Sequence, residues 1–171
     1  AKAAPTPRTD AERWILSRAA ATTASVDRAM ADYGFGEVTR LLYEAIWNEY
    51  CDWYLEIVKP RLYGDDGAEP DDEAAATLLW SLEQVLALAH PFMPFVTEEI
   101  YSYLPSPGAE ALVIHPFPEA DESLIDEAAE AEIERPLSLD RDGLGRVERG
   151  EAADRRTPLP RRDDHGVEPI C

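Results

Sequence analysis

An all-α bundle of four to five helices, followed by an aperiodic tail, is the fold class this sequence predicts. Three observations lead there. Apolar residues recur three or four apart over long stretches, which is the helical period. Glycines and prolines fall mainly between those stretches. Residues that cap helices stand at the starts of two of them.

Residues 1–9 hold two prolines and no apolar period, and read as a linker. Thr9-Asp10-Ala11-Glu12 fits a capping box. Behind it Ile15, Ala19, Thr22, Val26, Ala29 or Met30, and Tyr33 mark one buried stripe of a helix ending at Gly34. A second helix runs from about Gly36 towards Pro60, with Val38, Leu42, Ala45 or Ile46, Glu49 and Trp53 on one face. A second apolar row, Leu41, Tyr43, Trp47, Tyr50 and Tyr54, predicts that this helix is central. Gly64-Asp65-Asp66-Gly67 reads as a loop. Asp71 and Asp72 offer N-caps to a third helix facing inward through Ala75, Leu78, Leu79, Leu82, Val85, Leu86 and Ala89. Pro91 halts or kinks it, and Pro94 suits the first turn of a fourth helix, Phe95 to Leu104. Leu112 to Ile114 reads as a short extended stretch, and Ser123 to Ile133 as a last helix. The bundle is thus expected over residues 10–133.

Residues 134–171 are read differently. They hold no aromatic residue, four prolines, four glycines and eight arginines, and too few apolar groups to offset the entropy of ordering. Disorder is expected, either as a natural flexible tail or as out-of-frame sequence from a GC-rich gene. Reading the coding DNA in its other frames separates the two.

The formal charge of −19 over 171 residues argues at first against a nucleic-acid partner. It is concentrated, however, in residues 62–133, which hold 17 acidic side chains and no Lys or Arg. Residues 1–61 balance to −1, so an anionic ligand would dock there. The two cysteines, Cys51 and Cys171, exclude a disulfide framework or a four-cysteine zinc site. No apolar run is long enough to span a membrane, and no secretory signal is present, so a soluble cytoplasmic protein is expected. The first residue is Ala, as in a piece of a longer chain.

Catalytic patterns are absent. There is no Gly-rich phosphate loop, His90, His115 and His165 are scattered, and the acids of the second helix lack the Glu-x-x-His pairs of a di-iron bundle. His90 and His115 each precede Pro-Phe, where capping or packing is the expected role, and Cys51 reads as a buried small hydrophobe. The conspicuous feature is aromatic density: Tyr43, Trp47, Tyr50, Trp53 and Tyr54 fall on the second helix, with Arg40, Asn48, Lys59 and Arg61 among or beside them. Most of these rings are expected in the core. Any at the rim would stack unpaired bases while the cations meet phosphates.

Taken together, Arg13-Trp14-Ile15-Leu16-Ser17-Arg18, Trp47-Asn48-Glu49-Tyr50-Cys51-Asp52-Trp53-Tyr54-Leu55-Glu56, Lys59-Pro60 and His90-Pro91-Phe92-Met93-Pro94-Phe95-Val96-Thr97-Glu98-Glu99-Ile100 form a family signature. The chain resembles the anticodon-binding helical domain of class I aminoacyl-tRNA synthetases, most closely the valyl members. The His-Pro-Phe-Met-Pro-Phe stretch is shared more loosely with isoleucyl and leucyl members. The resemblance covers about residues 10–133. It departs from the family at Ala19, where Leu is usual, and after residue 133, where further helices and often a coiled-coil arm would follow.

That resemblance implies a module recognising the anticodon loop of valine tRNA within a larger ligase. The parent's catalytic domain would be its second partner. ATP and magnesium would act in that domain, since this chain lacks a His-x-Gly-His signature and its only lysines are Lys2 and Lys59. Valine anticodons carry A and C at their middle and third positions. Arg40, Tyr43, Trp47, Asn48 and Tyr50 would supply the stacking and hydrogen-bonding groups that discriminate them. Lys59 and Arg61 would meet backbone phosphates, with Arg13 and Arg18 on the neighbouring helix. Trp14, Trp53 and Phe92 to Phe95 would lie in the core. The competing readings are an acidic protein-interaction bundle, drawn from the cation-free middle segment, and the anticodon domain of an isoleucyl- or leucyl-type synthetase.

Overall fold

A computed structural model of the chain describes residues 3–64, 69–105 and 107–133; the expected tail and most of the Gly64–Gly67 loop lie outside the described residues. Helix α1 is Asp10–Ala31. Its capping box forms: the Glu12 N–H donates to Thr9 Oγ1 at 3.3 Å, and the Glu12 carboxylate accepts from the Thr9 N–H at 3.1 Å. The expected stripe of Ile15, Ala19, Thr22 and Val26 is buried, and Trp14, Leu16 and Ala20 widen it. Tyr33 is a correction. It stands in the left-handed region at φ 56°, exposed, in the turn after α1, and the helix ends before it. The Gly34 N–H then closes the turn onto the Ala29 carbonyl at 2.8 Å.

The second expected helix forms as three continuous segments: α2, Phe35–Tyr43; a π-helical segment, Glu44–Tyr54; and α3, Leu55–Tyr63. It packs on α1 and on the later α4, so its second apolar row does not make it central. That row divides. Tyr50 and Tyr54 are buried, whereas Tyr43 and Trp47 face out. The wider π turn sets residues three apart further round the axis, so Tyr50 leaves the Trp47 line. The helix also passes Pro60, expected as its stop, by one turn, and ends at left-handed Gly64. Arg61 anchors that turn through Glu12 and Asp71.

Helix α4, Asp72–Ala89, is capped by Asp71, whose Oδ1 accepts from the Glu73 and Ala74 N–H groups at 3.0 and 3.2 Å. It touches α1, α2, α3 and the helix that follows, which makes it the bundle's centre. Its buried line begins on Ala74, Thr77 and Ser81, while Ala75, Leu78 and Leu79 are half-buried. The hydroxyls disguise that line in the sequence: Thr77 and Ser81 donate to the Glu73 and Thr77 carbonyls at 3.1 and 2.8 Å, so their burial leaves no polar group unsatisfied.

Helix α5, Pro94–Ser102, buries Thr97 and Tyr101 against α4 and the turn at Leu112–Ile114. Among the described residues it packs chiefly on α4 and that turn, which leaves Phe95 91% exposed and corrects the core assignment of Phe92 to Phe95. Phe92 alone of that group joins a core cluster, with Val26, Val38, Leu42 and Leu88. Leu112–Ile114 is a 3₁₀ turn, not extended, because the Glu98 carboxylate collects the Leu112 and Val113 N–H groups at 2.9 and 3.1 Å. The last expected helix splits into a 3₁₀ turn, Glu122–Leu124, and a helix over 127–133. The break falls where the Asp126 N–H donates to Ser17 Oγ of α1 at 2.9 Å.

Candidate nucleic-acid interface

On α2 one helix face is buried through Val38 and Leu42, continuing to Ala45. The other side meets solvent: Thr39, Tyr43 and Trp47 follow one another there at four-residue spacing, with Arg40 beside Thr39, and exposed Phe35 flanks the buried face at the start of the helix. Tyr43 and Trp47 are 58% and 54% exposed, and their ring centroids lie 6.4 Å apart, tilted by 46°. Arg40 donates from Nε and Nη2 to the Glu37 carboxylate at 2.9 and 2.6 Å, and its Nη1 faces Glu44 at 2.7 Å. Asn48, half-buried, follows Trp47.

The other candidate residues lie apart from this strip. Tyr50 is 5% exposed, and its hydroxyl donates to the Leu78 carbonyl at 3.0 Å; burial pushes its phenol pKa up. Arg18 bridges α1 to Glu49 at 2.6 Å and Glu130 at 3.4 Å. Arg61 binds Glu12 and Asp71 at 2.6 and 2.5 Å. Arg13 pairs with Asp10 and faces Asp126 at 3.5 Å, and Lys59 pairs with Glu56. The structure thus brings together Arg40, Tyr43, Trp47 and Asn48, while Arg18, Arg61 and Tyr50 join helices to one another.

Exposed rings that the sequence did not mark as such include Tyr33, Phe35 and Phe95. Tyr33 meets Phe35 edge-on, and Phe35 meets Phe92, each with centroids 6.4 Å apart, so the strip's aromatic surface reaches the α4–α5 turn. The signal for Phe35 was its place three residues before Val38, at the edge of the buried face and not within it.

Other polar groups serve the fold. His90 Nδ1 lies 2.8 Å from the Thr97 hydroxyl, tying the end of α4 to α5. Burial pushes the Cys51 thiol pKa up, away from a reactive thiolate. Among the described residues, no group of three His, Cys, Asp or Glu side chains is placed to hold a metal ion. No helix there is long and apolar enough to cross a membrane.

Exposed rings beside a forked guanidinium on a helical bundle are the kinds of group that single-stranded RNA-binding surfaces use. The family model described as the anticodon-binding domain of tRNA ligase matches residues 12–142, and the chain belongs to that family. It is 43% identical over 125 residues to the valine–tRNA ligase of Dehalococcoides mccartyi, covering 70% of this chain. To the valine–tRNA ligase of Stenotrophomonas maltophilia it is 48% identical over 134 residues, covering 76% of this chain. To that of Enterococcus faecalis it is 45% identical over 122 residues, covering 71% of this chain. The match spans 14% of the length of each of these relatives.

Proposed function

We propose that this domain recognises the anticodon loop of valine tRNA as one part of a valine–tRNA ligase. The exposed Tyr43–Trp47 pair beside Arg40 is the observation that carries the reading. Two large rings held in water along one helix face contribute nothing to the core, whereas an unpaired loop offers bases to stack on them. Arg40 and Asn48 then provide the polar contacts. The strip lies in residues 1–61, whose charge is nearly balanced, and outside the cation-free segment 62–133. In this reading the chain supplies tRNA identity and affinity in the cytoplasm. Adenylation with ATP and magnesium belongs to the remainder of such a ligase, the second partner.

An anisotropy titration with valine tRNA and an unrelated tRNA, at low and raised salt, tests the proposal. Tighter binding of valine tRNA, weakened by Arg40→Ala, is the expected result. Equal binding of both tRNAs, or indifference to Arg40→Ala, would overturn it.

A further inference from the structure

We infer that Glu37 and Glu44 are positioning residues that make Arg40 a reader of base edges instead of a phosphate contact, an inference resting on the RNA-binding role proposed above. Glu37 lies about one turn before Arg40 and Glu44 about one turn after it, so both carboxylates fall on the guanidinium's side of the helix. Glu37 takes Nε and Nη2 side-on, at 2.9 and 2.6 Å, and Glu44 stands 2.7 Å from Nη1. A guanidinium carries five N–H donors in a rigid fork. With its side edge filled by Glu37 and one Nη1 donor turned to Glu44, the donors left for a ligand are one on Nη1 and one on Nη2.

The charge of the cluster decides what that edge accepts. Two carboxylates and one guanidinium sum to a net negative charge. Hydrogen bonding to Glu37 and then Glu44 raises the guanidinium pKa, and Arg40 holds Glu37 below the usual carboxylate range, so this pair stays ionised at neutral pH. An incoming phosphate meets two like charges and must displace a bidentate partner. A neutral base meets neither obstacle. Its adjacent acceptors, such as O2 and N3 of cytosine, match the two-pronged edge. Tyr43 follows Arg40 by about one turn on the same face and Trp47 by two, so a base stacked on those rings turns its edge towards the guanidinium.

Fluorescent anticodon stem-loops test this with the full 171-residue chain. One loop carries the valine anticodon and others carry a replaced middle or third base. Each is titrated at two salt concentrations, with helicity checked by circular dichroism. The double variant Glu37→Gln/Glu44→Gln is expected to bind every loop more tightly, with a steeper salt dependence, and to lose about tenfold in discrimination. Arg40→Lys, which keeps the charge and loses the fork, is expected to keep the salt slope and lose a similar factor. A purely structural role for the two glutamates would move neither the ratio nor the slope. Retained discrimination in either variant overturns the inference. So does an Arg40→Ala salt slope shallower by about one, which marks a phosphate contact; in both cases loop binding by the wild type leaves the RNA-binding role standing. If the wild-type chain binds no loop, that role fails and the inference with it.

Discussion

The guanidinium of Arg61, in the last turn of α3, donates to the Glu12 carboxylate at 2.6 Å, and Glu12 is the residue that closes the capping box of α1. The same guanidinium reaches Asp71, the N-cap of α4, at 2.5 Å. One side chain therefore joins three helix ends. The Glu12 side chain is only 2% exposed, so it depends on these partners. Arg61→Met strands a buried carboxylate and is expected to cost about 2–4 kcal/mol. A urea unfolding midpoint checks it, and Arg61→Lys should lose less.

Glu12 also links stability to acid. Burial raises its pKa, but the Arg8 N–H, the Arg61 guanidinium and the Thr9 N–H together hold the carboxyl below its ordinary value of 4.5. The unfolded chain then takes up the proton first as pH falls. The stability Glu12 contributes is therefore present above pH 4.5 and lost as pH drops through the lower folded value. Asp71, held low by its hydrogen bond from Arg61, acts in the same direction. Unfolding midpoints measured from neutral to acid pH should show this fall, and Glu12→Gln should reduce it.

At the alkaline end Tyr50 and Tyr54 act with the opposite sign. Burial raises both phenols above their ordinary value of 10.0, so the unfolded chain ionises first. Stability present below pH 10.0 is lost as pH rises towards the folded values. Tyr50→Phe removes the bond to the Leu78 carbonyl and is expected to cost about 0.5–1.5 kcal/mol at neutral pH. It should also flatten the alkaline loss. Denaturation of the variant at pH 7 and above pH 10 measures both effects.

Gly108 has a different constraint. A Cβ there would lie 2.7 Å from Oε1 of Glu83. That oxygen already accepts from the Gly108 N–H at 2.5 Å and the Tyr101 hydroxyl at 3.2 Å, and Glu83 is buried. Gly108→Ala is therefore expected to destabilise by about 1–3 kcal/mol, read as a lower thermal midpoint.

The exposed rings should behave in the reverse way. Trp47→Ala and Tyr43→Ala remove no buried contact and should leave stability within about 0.5 kcal/mol. Each should weaken RNA binding by about 1–3 kcal/mol. Paired denaturation and binding curves of the two variants separate these effects.

Periodicity and caps made the helices readable, because the capping box at Thr9 and the Asp71 cap are local chemistry. What escaped was set by distant partners. Tyr50 and Trp47 look alike in a helical row, yet one is buried and the other exposed, because the π segment alters the phase between them. Arg61 beside Pro60 reads as a free phosphate contact, and only the fold brings Glu12 and Asp71 to it. Arg40, Tyr43 and Trp47 were readable as candidates since their neighbours on the same helix decide their exposure. Phe95 was misplaced because its burial depends on whether anything covers α5, and among the described residues it remains 91% exposed.

Chemical-shift mapping of the isotope-labelled chain with the valine anticodon stem-loop examines the proposed surface most directly. Perturbations should gather on the backbone amides of Phe35, Thr39, Arg40, Tyr43, Trp47 and Asn48. Shifts gathered instead around Leu112 to Leu124, or none at saturating RNA, would contradict the assignment of this helix face to the anticodon loop.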